Sequence, residues 1–213
     1  MAQRTVHYLF GEIFSTQLRL RDKQRFLLGS IMPDAYANAD DREKTHYKIV
    51  TDSRKYFDFC AFREQYHELI LNDDLYLGYY MHLVEDDFYR QFIYNNGFKT
   101  PCNQEEVAML HNDYHILNSY IVNKYNIHNT LENAIELEQE PINEIADFRL
   151  NEFIEEMAHD FTEQITGKAH FLTESMVDEF IDRYVPIGLK ELQHVQNGEF
   201  TLQAIDYAWQ KRG

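Results

Sequence analysis

The sequence predicts an all-α fold, a single-domain multi-helix bundle over residues 1–213, on three observations. Apolar residues recur at helical spacing along nearly the whole chain, sustained strand-like alternation is hard to find, and 8 Gly and 4 Pro are few for a loop-rich or all-β chain. A hydrophobic share of 44%, with 15 Phe and 15 Tyr, supplies a substantial core. The length of 213 residues also fits one large domain, since single cores grow to about 250 residues before chains split.

A first helix is expected over residues 5–20 and a short second one over 23–30, stopped by Pro33, which lacks the N–H a helix needs. Residues 32–44 read as a loop. A third helix is expected over 53–71, ending at Asn72-Asp73-Asp74, whose side chains suit the cap of the next helix. That next helix runs from Leu75 to Tyr94 and stops at Asn95-Asn96-Gly97. Another follows Pro101 over 104–125. The acidic stretch 128–141 reads as a surface excursion, and helices are expected over 142–166 and 173–192, the latter kinked at Pro186. A short final helix should follow Asn197-Gly198.

Charge and composition narrow the functional classes. A formal charge of −16 argues against a broad basic surface for double-stranded nucleic acid, so an anionic substrate needs a local positive centre. Cys60 and Cys102 are too few for a disulfide framework and lack CxxC spacing, which predicts ordinary reduced thiols. The N-terminal MAQRTVHYLFGEIF places Glu12 where a signal peptide would be apolar, and no stretch reaches the ~20 apolar residues that span a bilayer. A cytoplasmic protein without a transmembrane segment is the expectation, its oligomeric state open.

The residues that carry chemistry begin with GYYMHLVEDD. His82 and Asp86 stand four residues apart, on one face of the predicted helix and one turn apart, so both can reach one ion. Gly78 lies a further turn back, where a missing side chain admits a second helix or a substrate. An isolated HxxxD is more often a surface pair or a satisfied core histidine; its company gives it weight. His7 sits among Val6, Leu9, Phe10 and Phe14, where an imidazole needs a partner. Asp34 follows Pro33 in LGSIMPDAY, and His46 lies in KTHY.

Together these residues resemble the zinc-dependent phospholipase C family, which includes secreted phosphatidylcholine-hydrolysing enzymes and is related to single-strand-specific zinc nucleases. The resemblance covers roughly residues 5 to 120 and rests on the VHY histidine, the LGSIMPD turn, the THY histidine and the LGYYMHLVED helix. It implies a helix bundle of that family's type. It also implies that Asp34, His46 and His82 bind one zinc, that Asp86 bridges to a neighbouring zinc, and that His7 helps hold the neighbour. Such a site suits zinc, which takes imidazole nitrogen and carboxylate oxygen at about 2.0–2.2 Å and keeps an open position for water when catalytic. One to three ions are expected, and iron or manganese also suit His and Asp ligands.

The chain departs from the family in two places. Secreted members use an N-terminal tryptophan as a ligand, whereas this chain begins with Met1 and its only tryptophan is Trp209. A further family histidine soon after the bridging aspartate is replaced here by Phe88, Tyr89, Phe92 and Ile93. His111 and His115, about 40° apart around one helix, are candidates to substitute for it, while Asp113 points about 160° away from either.

The expected activity is hydrolysis of a small phosphate ester, phospholipase C- or phosphodiesterase-like, by metal-activated water, with Asp34 also a candidate catalytic proton acceptor. A phospholipid substrate fits poorly, because an acidic chain has no evident means of docking on an anionic membrane. Two other readings stand beside it: an HD-like dinuclear nucleotide phosphohydrolase using the His159-Asp160 dipeptide, and a non-catalytic helical interaction protein with a structural zinc.

Overall fold

Helix α6 (Asp74–Asn95) is the axis of the fold, and every residue from Asp74 to Asp87 is buried. A helix covered on all sides needs no single apolar stripe, which is why charged residues sit in its middle as internal groups. A computed structural model describes residues 3–95, 98–99, 101–131, 137 and 139–210, and these are predominantly helical.

Ahead of α6 come α1 (Arg4–Gln17), α2 (Lys23–Ile31), α3 (Arg42–Thr45), the strands β1 (Lys48–Val50) and β2 (Arg54–Phe57), and the short helices α4 (Phe59–Gln65) and α5 (His67–Asn72). After it come α7 (Gln104–Tyr125), α8 (Leu150–Thr162), α9 (Glu174–Gln196) and β3 (Trp209–Gln210). Several starts carry the side-chain caps their sequences offer: Asp22, Asp58, Asn103 and Thr173 accept from the backbone N–H three residues on. α7 ends at Asn126, whose φ of 49° is left-handed. No helix among the described residues is long and apolar enough to cross a membrane.

α2 crosses α6 at Gly29 and Gly78. A Cβ on Gly78 would lie 2.2 Å from Phe26 O, and one on Gly29 would lie 2.0 Å from Leu75 O. The space that Gly78 leaves is therefore filled by a second helix. α1 packs against α2, α7 and α9, closing the core around Phe10, Phe14, Phe180 and Tyr184.

Three expectations are corrected. Residues 53–71 do not form one helix, because β1 and β2 make an antiparallel hairpin with Ile49 opposite Tyr56, and β3 adds to β2 through Lys55 and Trp209. Tertiary contacts decide this: Thr51 N–H and Arg54 O close the turn at 2.9 Å, and Asp87 Oδ1 accepts the Phe57 N–H at 2.7 Å. Residues 142–149 are not helical beyond the 3-10 turn Pro141–Glu144. They run beside the Asp34 loop, where Asp147 O accepts the Ala37 N–H and Arg149 N–H donates to Ala35 O, both at 2.8 Å. The final helix is replaced by the 3-10 turn Ala204–Tyr207 and β3.

The loop expected at 32–44 contains two 3-10 turns and the start of α3. Of the excursion at 128–141, residues 132–136 and 138 lie outside the described residues. Its start is tied to α1, since Tyr8 O–H donates to His128 O at 2.8 Å. α9 continues through Pro186, and Cys60 and Cys102 are free thiols.

Asp113 points into the protein, where its carboxylate accepts the N–H groups of His170, Phe171 and Leu172 at 2.8, 2.6 and 3.1 Å. It therefore ties the segment before α9 to α7. Asp113→Ala orphans three donors, and urea denaturation is expected to show a loss of about 3 kcal/mol with bound metal unchanged.

Candidate metal centre

Five side chains from four segments meet at one point on α6. α1 brings His7, the 3-10 turn after α2 brings Asp34, the end of α3 brings His46, and α6 itself brings His82 and Asp86. His46 Nε2 lies 3.3 Å from Asp34 Oδ1, 3.5 Å from Asp86 Oδ2 and 3.3 Å from His82 Nε2. His7 Nε2 lies 3.6 Å from Asp86 Oδ1 and 3.9 Å from Asp34 Oδ2. Ligand atoms around a tetrahedral ion at about 2.0–2.1 Å stand roughly 3.3 Å apart, and the shorter of these spacings are close to that value.

Each imidazole is oriented from behind. His82 Nδ1–H donates to Ser30 O at 2.8 Å, and His46 Nδ1–H donates to Arg42 O at 2.9 Å. A carbonyl can only accept, so both rings carry a proton on Nδ1 and turn Nε2 inward. His7 Nδ1 lies 2.9 Å from Glu85 Oε2, within reach but off the line of a hydrogen bond, and its ring stacks on His82 with centroids 3.7 Å apart. Tyr79 O–H donates to Thr45 O at 2.6 Å, which fixes the α3 end beside His46.

The electrostatics ask for a cation. Burial, reinforced by His82, lowers the pKa of His7 to about 3, and burial also lowers that of His82, so both rings are neutral at pH 7. Burial alone would raise Asp34, but the His46 hydrogen bond and the charge that His82, His46 and His7 carry when protonated outweigh it and hold its pKa at about 2. Ionised carboxylates facing neutral imidazoles in a dry interior are costly without a positive charge between them. His7 Nε2 is buried and makes no hydrogen bond. Two overlapping triads suit an ion, His7, Asp34 and His82, and His46, His82 and Asp86, with the ligand atoms of each within 4.8 Å of one another. The donor set fits zinc in atom type and protonation state.

No family model, curated protein or solved structure matches the chain.

Successive residues 85, 86 and 87 turn in three directions, as a helix step of about 100° requires. Asp86 faces the centre, Asp87 holds the β2 backbone, and Glu85 backs His7. Glu85 is absent from the sequence-derived site; its one signal is a third acidic residue inside an otherwise apolar helix. Burial, with Asp86 and Asp34 nearby, pushes its pKa well above the carboxylate range. Gln matches the neutral acid in shape but cannot supply the charge that strengthens a metal-bound imidazole. Glu85→Gln should leave the fold intact and weaken zinc binding about tenfold or more in a competition titration against a chromophoric chelator; unchanged affinity would count against this role.

His111 and His115 do not join the centre. α7 buries the face bearing Asp113, Ile116 and Leu117, which leaves both histidines exposed on the rim of a cleft of about 610 Å3 that reaches Asp34. His159-Asp160 does not assemble either: His159 is 72% exposed, whereas Asp160 is buried against Arg4. Met1 lies outside the described residues.

Two clefts reach the centre. Asp34 lines the first, and His46 lines a second of about 510 Å3 walled by Phe57, Tyr94 and Trp209. Arg42 and Arg90 line both.

Proposed function

We propose that this chain is a metal-dependent hydrolase of phosphate esters, with zinc the metal its donors suit best. The observation that carries the reading is the convergence of His7, His46 and His82, each with Nε2 turned inward, on the carboxylates of Asp34 and Asp86. Two of these five, Asp34 and His46, reach clefts where a substrate can approach. These residues would hold a divalent cation, which would supply Lewis acidity toward a phosphoryl oxygen and acidify a water.

The chain's own residues do the rest. His46 and His82 stay in the ligand tautomer because Arg42 O and Ser30 O hold their outer nitrogens. Asp34 is ionised at neutral pH, meets the cleft with a side chain only 7% exposed, and is the carboxylate placed to receive a proton from an attacking water. The order of the five residues along the chain supports kinship with the zinc-dependent phospholipase C family, although the substrate is read here only as a phosphate ester. A cytoplasmic location is part of the same reading.

One observation favours a second reading. The imidazoles and Asp86 are almost completely buried, as in a closed structural zinc site. Metal analysis together with assays on p-nitrophenyl phosphate and bis(p-nitrophenyl) phosphate separates the two. Hydrolysis abolished by chelation and restored by zinc supports the enzyme. Tightly held zinc with turnover of neither ester would establish the structural role instead.

A further inference from the structure

Resting on that hydrolase reading, we propose that Arg42 and Arg90 form a guanidinium clamp that holds the oxygens of the substrate's phosphate group beside the metal centre. Both arginines line both clefts, one beside His46 and the other beside Asp34, whose facing atoms are 3.3 Å apart.

Each arginine is also tied to a centre residue by one helical turn. Arg42 precedes His46 by four residues, and its own carbonyl holds the His46 ring. Arg90 follows Asp86 by four residues on α6, so its side chain leaves the same face of that helix. Any change that moved the ligands would move the cations with them.

Charge and hydrogen bonding point the same way. In a chain of formal charge −16, cations gathered at the mouth of a buried site need an electrostatic reason. Several other basic residues there are already engaged: Arg4 with Asp160, Arg149 with Glu156, and Lys48 with Glu43. Arg90 differs, because its Nε is buried and finds no hydrogen-bond partner among the described residues. A buried guanidinium N–H left in this state is a donor for something that arrives from the cleft. A planar N–H fork matches two oxygens of a phosphate, and the partner must be anionic and rich in acceptors. Asp40 and Glu43 also line the smaller cleft and would repel an anion that strayed from the clamp. At about 510 and 610 Å3, either cleft has room for an organic substituent of the ester.

The test is calorimetric titration of inorganic phosphate into the full chain, zinc-loaded and after chelation, for wild type, Arg90→Met, Arg90→Lys and Arg42→Met. Each methionine variant is expected to weaken phosphate binding about ten- to a hundredfold, with zinc content and melting temperature unchanged. Arg90→Lys should restore only part of the loss, because an ammonium lacks the planar fork. The same ratio between wild type and Arg90→Met is expected in chelated protein, so the clamp is tested whether or not zinc is held. Wild-type protein that binds no phosphate, or an Arg90→Met variant that binds it as tightly, overturns the clamp. A protein that hydrolyses neither p-nitrophenyl ester yet loses phosphate affinity in Arg90→Met keeps the clamp and loses the hydrolase. Full turnover with an unaltered phosphate affinity in that variant does the reverse.

Discussion

Alanine at His82 is expected to abolish retention of zinc and, with it, phosphate-ester hydrolysis. His82 is the residue common to both candidate triads, so its removal damages each of them. Structural zinc sites bind with about 10–16 kcal/mol at neutral pH; shared among four ligands, one ligand accounts for about 2.5–4 kcal/mol, or a change in affinity on the order of 10²- to 10³-fold. Removing the ring also strips His7 of its stacking partner and leaves Ser30 O without its donor. Mass spectrometric metal analysis after dialysis is the direct measurement. His111→Ala serves as the control, because that ring sits on the exposed rim of α7, and its zinc content should equal that of wild type. A His82→Ala protein that kept a full complement of zinc would refute the centre as drawn.

The second large effect lies at the crossing of α2 and α6. On intrinsic propensity alone, Gly78→Ala should stabilise a helix by about 1 kcal/mol. Contact reverses the sign: the added methyl would stand 2.2 Å from Phe26 O and 2.9 Å from Ser30 N, both backbone atoms that cannot rotate away. α2 must then move as a body, and overpacking of this kind costs about 3 kcal/mol or more. Because Ser30 O steadies His82 and Asp34 follows directly from α2, the displacement should also weaken zinc binding. Urea denaturation and zinc titration of the same variant are expected to deteriorate together. Stability equal to wild type would show that the helices do not approach this closely.

Much of this arrangement was legible in the residues. The spacing of GYYMHLVEDD put His82 and Asp86 on one face, and the bounds expected for α7, residues 104–125, coincide with those observed. Periodicity and capping are local properties, so a single sequence displays them. The hairpin was not legible, because IVTDSRKYF becomes strand only when Asp87 and Trp209 arrive from elsewhere in the chain. For the same reason residues 142–149 were misjudged: their backbone is held by Ala35 and Ala37, more than a hundred positions away. Glu85 and the two arginines escaped notice because their roles depend on direction, toward His7 and toward the clefts, and spacing alone does not give direction without a known partner.

The positions of the five candidate ligands carry a consequence for biosynthesis. All five are encoded within the first 86 residues, whereas Trp209, which walls the smaller cleft, leaves the ribosome more than a hundred residues later. Once α6 has cleared the exit tunnel, the nascent chain already contains every donor atom of the candidate centre. The outer wall of the cleft can dock only afterwards, on a core whose chemistry is already set.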